Sequence, residues 1–139
     1  MIKNNDYVNI LFITICVISC IFIYGKYRCD NPDFKDPLQI KIPIWDLDGW
    51  SILHFFTFLY FGYLFPNYLF LAMIIGILWE LFEFFYGYFK PTFLRGWGHC
   101  ISTDIIDKDN NNIWWYGKIS DLACNFTGFI CGMYFRKLF

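Results

Sequence analysis

The chain reads as an all-α protein, a multi-pass bundle of four transmembrane helices. Three observations predict that class. Of its 139 residues, 58% are hydrophobic and only 17% are charged, against roughly 45–50% apolar and about 25% charged in average usage. The charges are also unevenly placed: 7–25 contains none, and 50–89 contains only Glu80 and Glu83. Apolar runs of this length exceed an ordinary buried helix and suit a bilayer span. The mean hydropathy of +0.41 understates the case, because its scale counts Trp and Tyr as polar.

Several function classes are disfavoured at once. A net charge of -1 without a basic patch argues against nucleic-acid binding. The six cysteines form no CxxC, so a structural zinc site is not expected. They do not make a disulfide framework either. Cys16, Cys20, Cys124 and Cys131 lie in apolar stretches, where a thiol packs as a small hydrophobe.

The first span is 7–25. Its run exceeds the roughly 7–15 residues of a signal-peptide core and lacks an A-x-A-like site, so a retained anchor is expected. Residues 26–49 form a polar connection in which Pro32, Pro37 and Pro43 interrupt helix. Spans 50–65 and 67–89 follow, separated by Pro66, as a helical hairpin. The first of these is short, about 24 Å at roughly 1.5 Å per residue. Residues 90–118 are the main extramembrane segment. Within it, 100–107 and 112–118 flank a polar 108–111 and read as a β-hairpin. Trp114, Trp115 and Tyr116 precede the last span, 119–135, as interfacial aromatics do. Two units result: an anchor and connection over 1–45, and a membrane core over 46–139.

Four spans put both termini and the Pro66 turn on one side. That side carries Lys3, Arg136 and Lys137, and the other carries the remaining eight Lys and Arg residues. The bias favours loops 26–49 and 90–118 as cytoplasmic.

Ionisable residues inside spans are costly and mark candidate sites. This chain has His54, Glu80, Glu83 and Asp121, with Asn125 beside them. In the third span Ala72, Gly76, Glu80, Glu83 and Gly87 share one helical face. In the fourth, Asp121, Asn125, Gly128 and Gly132 share another. Pairing these faces predicts close packing of Gly128 and Gly132 on Ala72 and Gly76. It also brings Asp121 and Asn125 toward Glu80 and Glu83. His54 and Ser51 lie near the same end, and Arg95 follows the third span. Three carboxylates this close need a retained proton, a cationic partner such as Arg95 or His54, or a bound cation. The candidates are therefore Glu80, Glu83 and His54 for acid–base work, and Asp48, Ser51, Arg95, Asp121 and Asn125 for binding. The alternative is that these groups only tie helices together, at about 1 kcal/mol per hydrogen bond.

Other patterns carry less. Asp46-x-Asp48-Gly49 lacks the further aspartates of the alcohol phosphotransferases. Asp107-x-Asp109-x-Asn111 has Asn112 and Lys118 where an EF-hand needs Gly and Glu. The sequon Asn125-Phe126-Thr127 falls inside a span. Glu80-x-x-Glu83 with His54 and Asp121 offers ligands for a divalent cation, but the Glu-x-x-His pair of di-iron bundles is missing. No cofactor is expected and no metal ligand is assigned.

Asp48, then His54-Phe55 and Gly62, then Glu80, Arg95 and the run Asp121, Asn125, Gly128, Gly132 together resemble the VanZ-like membrane proteins. The resemblance covers about 46–135. It implies a shared membrane core and polar site rather than a named reaction. Two departures stand out: Glu83 occupies the place of a Gln, and 99–118 reads as an insertion. The function expected is binding of a lipid-like or amphiphilic ligand in a polar cavity open to one side, with the bilayer as surroundings. The alternative is an intramembrane enzyme acting on a lipid by carboxylate and histidine chemistry. The residues do not indicate an oligomeric state.

Overall fold

A computed structural model describes residues 4–31, 33–43, 45–89, 91–97 and 117–139. Among the described residues it is all-α, with four helices: α1 (Asn4–Asp30), α2 (Gly49–Leu64), α3 (Leu69–Phe89) and α4 (Ile119–Leu138). One-turn 3-10 segments lie at Pro37–Gln39 and Thr92–Leu94. Helices α1 and α3 are long and apolar enough to cross a membrane. The expected β-hairpin, the Trp114–Trp115–Tyr116 belt and the EF-hand-like stretch up to Asn112 lie outside the described residues.

Each boundary has a local cause. Asp48 caps α2 in a box: its carboxylate accepts from the Ser51 amide at 3.0 Å, and Ser51 Oγ accepts from the Asp48 amide at 3.3 Å. The approach to that cap is a tight turn closed by the Ile42–Leu47 bridge. It places Trp45 and Asp46 at φ 47° and 54°, in the left-handed region. Asp46 is thus an exposed turn residue and Asp48 a buried cap, and the two serve different ends. Around Pro66, the Tyr68 amide donates to Phe65 at 3.0 Å and the Ala72 amide to Tyr68 at 2.9 Å, which starts α3 directly. Inside apolar α1, the Thr14 and Ser19 hydroxyls each donate to the carbonyl four residues back at 2.8 Å, so neither is left unbonded.

The helices alternate in direction. Helix α1 runs alongside α3, with Tyr7 against Tyr68 (5.2 Å between ring centroids) and Phe22 against Phe82 (6.2 Å). Helices α2 and α4 run parallel to each other and opposite to α1 and α3. A core of Ile10, Phe58, Phe61, Phe65, Ala72 and Phe129 fills the half of the bundle near the Pro66 turn.

The glycine faces pair differently from the sequence expectation. Gly128 and Gly132 of α4 meet α2, not Ala72 and Gly76 of α3. A Cβ on Gly128 would fall on the Phe55 carbonyl oxygen, and one on Gly132 on that of Leu59. Reciprocally, a Cβ on Gly62 would fall on the carbonyl oxygen of Phe129. Glycines on both helices let the two backbones touch. Helix α3 offers only Gly76 to α4, and there a Cβ would lie 2.8 Å from the Asn125 amide and 3.0 Å from the Phe58 ring. Ala72 packs in the apolar core instead.

At the far end of the same seam, Arg136 donates to the carbonyls of Tyr63 (3.1 Å) and Leu64 (2.6 Å), the last residues of α2. Helix α1, which has no polar stripe, is held at its two ends. Tyr68 donates to Asp6 at 3.2 Å. At the other end Tyr24 donates to Asp36 at 2.8 Å, and Arg28 pairs with Asp36 at 3.4 Å. Cys29, at that same end, is disulfide-bonded. No disulfide was expected from the sequence.

Candidate functional site

The start of α2, the start of α4 and the middle of α3 meet at one end of the bundle. Ser51 sits on the first turn of α2 because the capping box fixes it there. Its Oγ donates to Asp121 Oδ1 on the first turn of α4. One turn further along, His54 Nδ1 and Asn125 Oδ1 are 2.9 Å apart. An amide oxygen only accepts, so Nδ1 carries the proton of this bond. The opposite ring nitrogen, Nε2, lies 3.7 Å from Glu80 Oε1 on α3. Glu80 Oε2 accepts from the backbone amide of Lys118 at 2.8 Å. The Lys118 ammonium reaches back to Asp48 Oδ2 and closes the ring of contacts on the α2 cap.

Burial is high throughout. Asn125 is fully enclosed, Ser51 is 1% exposed, Asp48 and Asp121 are 3% and Glu80 is 6%. Buried charges persist when paired and hydrogen-bonded, and most of these groups are. Two atoms within the cluster are exceptions. Glu80 Oε1 and Asn125 Nδ2 are buried with no hydrogen-bond partner among the described residues. His54, Glu80 and Asp121 each offer a ligand-type atom, and these atoms lie within 4.8 Å of one another.

Beside this cluster, α1, α2 and α3 line a half-open cavity of about 450 Å³. Its wall is almost wholly apolar, with Val17, Ile21, Phe58, Ile75, Trp79 and Phe82 among its residues, and His54 and Glu83 bring polar atoms to it. Trp79, one turn before Glu83, is the side-chain hydrogen-bond partner of the Glu83 carboxylate.

The structure therefore gathers His54, Glu80, Asp121, Asn125, Ser51 and Asp48 into one cluster. Glu83 belongs to the cavity wall next to it. Arg95 is exposed at the end of Thr92–Leu94. The cation buried among the acids is Lys118, which the sequence reading counted only as a loop charge. A signal for it existed: a lysine at the N-cap of a helix opposes the helix dipole, and that placement calls for an acidic partner. Asp121 and Asn125 do not cap α4; they face α2. Compared with known protein families, with curated proteins and with solved structures, the chain matches none.

Proposed function

We propose that this is a four-span membrane protein that holds a single-chain amphiphile. The apolar chain lies in the α1–α2–α3 cavity, and a polar head meets His54 and Glu83. The observation that carries this reading is the pairing of a largely apolar cavity with two ionisable groups, His54 and Glu83, on its wall. Its volume falls within the roughly 300–1,000 Å³ of small-molecule sites. Large exposed side chains on the outer faces support the membrane setting, such as Phe70 at 80% and Phe84 at 61%. Apolar surface of that extent is rarely left to water. The VanZ-like relationship forms part of the same proposal, supported by the meeting of Asp48, His54, Glu80, Asp121 and Asn125.

Native mass spectrometry of the chain released from lipid nanodiscs tests the binding. A retained amphiphile that is lost on filling the cavity with Thr57→Trp supports it. A clean ligand-free spectrum of the wild type removes it. The close approach of His54 Nε2 and Glu80 favours a second reading, acid–base chemistry on a bound lipid. Glu80→Gln would then abolish turnover of that lipid while leaving it bound.

For orientation we propose loops 26–49 and 90–118 on the cytoplasmic side, from the distribution of basic residues. The disulfide at Cys29 is the observation against it, because cytosolic thiols stay reduced. An impermeant amine reagent applied to sealed cells decides between them. Labelling of Lys35 and Lys41 only after permeabilisation keeps the orientation; labelling of intact cells reverses it.

A further inference from the structure

We propose that His54, Glu80 and Asp121 bind a divalent transition-metal ion, of the zinc or manganese class. Each ligand has one atom engaged by a second group that fixes its orientation. His54 Nδ1 is held by Asn125 Oδ1, Asp121 Oδ1 by the Ser51 hydroxyl, and Glu80 Oε2 by the Lys118 amide. This is the pattern of supporting contacts that metal ligands require.

The arrangement leaves a gap that these groups do not fill. With its proton on Nδ1, His54 presents the Nε2 lone pair. Glu80 Oε1 faces it at 3.7 Å, buried and without a hydrogen-bond partner. Two acceptors facing each other at that distance, with Glu80 only 6% exposed, require either a proton or a metal ion between them. Metal–ligand bonds of about 2.0–2.2 Å put neighbouring ligand atoms roughly 3.3 Å apart in a tetrahedral site, so His54 and Glu80 close by a few tenths of an ångström, and Asp121, within 4.8 Å of both, by up to about 1.5 Å.

Charge gives an independent argument. Lys118 is matched by Asp48. Glu80 and Asp121 face the imidazole, with Glu83 on the adjoining wall, and a divalent ion offsets two of these negative charges. One nitrogen and two carboxylate ligands suit first-row transition ions better than Mg2+ or Ca2+, which favour all-oxygen shells. Three protein ligands leave at least one position for water or for an oxygen of another molecule. The site does not depend on the amphiphile reading, and its test uses the metal alone.

The purified full chain in detergent, stripped with a chelator, is dialysed against Zn2+ alone and Mn2+ alone. Bound metal is then counted by plasma mass spectrometry, and melting is followed by circular dichroism. The wild type should take up one equivalent and melt higher with metal. Glu80→Gln and His54→Gln should lose both effects, Asn125→Ala should bind about 10–100-fold more weakly, and the exposed Asp46→Asn should match the wild type. If Glu80→Gln does not fold, His54→Gln, which removes no charge, carries the comparison. Absence of a bound equivalent in the wild type, or equal uptake by the wild type and the folded ligand variants, overturns the proposal.

Discussion

Replacing Lys118 by Met tests whether its ion pair with Asp48 joins α4 to α2. The two side chains are only 6% and 5% exposed, so water does little to screen them. Removing one partner of such a pair leaves the other charge buried, which costs about 3–5 kcal/mol. Asp48→Asn should cost a similar amount, although Asn caps a helix as well as Asp does, so the loss reports the charge rather than the cap. The double variant removes both charges together, so its loss should fall well short of the sum of the two single losses. Lys118→Met keeps the backbone amide that bonds Glu80, so that contact is common to all four proteins. The coupling energy should therefore exceed about 2 kcal/mol, more than tenfold in the unfolding equilibrium. Unfolding in mixed micelles with increasing SDS, read by helicity, gives the four stabilities. Additivity within about 0.5 kcal/mol would refute the reasoning, since it would mean that the two side chains do not interact.

Three further outcomes follow from the geometry. Gly132→Val should separate α2 from α4 and cost at least about 1–3 kcal/mol as overpacking, because its Cβ would also sit 2.7 Å from the Tyr63 amide nitrogen; Thr127→Ala, on the exposed face of α4, should cost under about 1 kcal/mol in the same SDS titration. Asn125→Ala should release the His54 tautomer. Nitrogen-15 NMR of labelled histidine should show one tautomer, protonated at Nδ1, in the wild type and a mixture in the variant; identical spectra would exclude the hydrogen bond. Arg136→Ala removes two donors from the end of α2 but from an exposed position, so the loss should stay near 1 kcal/mol.

The four helices were legible because long apolar runs and prolines mark them strongly, and α2, α3 and α4 begin within two residues of the expected positions. The membership of His54, Glu80, Asp121 and Asn125 in one site was legible from helical spacing alone. The choice of partner helix was not. Spacing tells which residues share a face but not which neighbour that face meets, and Gly62 supplied the second half of a seam that three-residue and four-residue steps on α3 imitate. Lys118 was missed because a basic residue beside a span normally signals topology. A cavity was expected, but a polar one; its apolar wall and the part α1 plays in it were not legible, because apolar residues on α1 look the same whether they face outward or line a cavity.

The α2–α4 seam has a consequence for the order of assembly. Its contacts join residues 70 and 71 positions apart, as in Lys118–Asp48 and His54–Asn125. Contacts of such separation form late, after the intervening chain has been closed into a loop. On the proposed four-span reading, α2 reaches the bilayer during synthesis with Ser51 and His54 lacking Asp121 and Asn125, and α3 arrives with Glu80 lacking the Lys118 amide. Only the insertion of α4 satisfies them. Quality control that recognises exposed polar side chains in lipid would therefore read the docking of this last helix as completion, and substitutions in α4 should shorten the lifetime of the newly made protein before they alter what it binds.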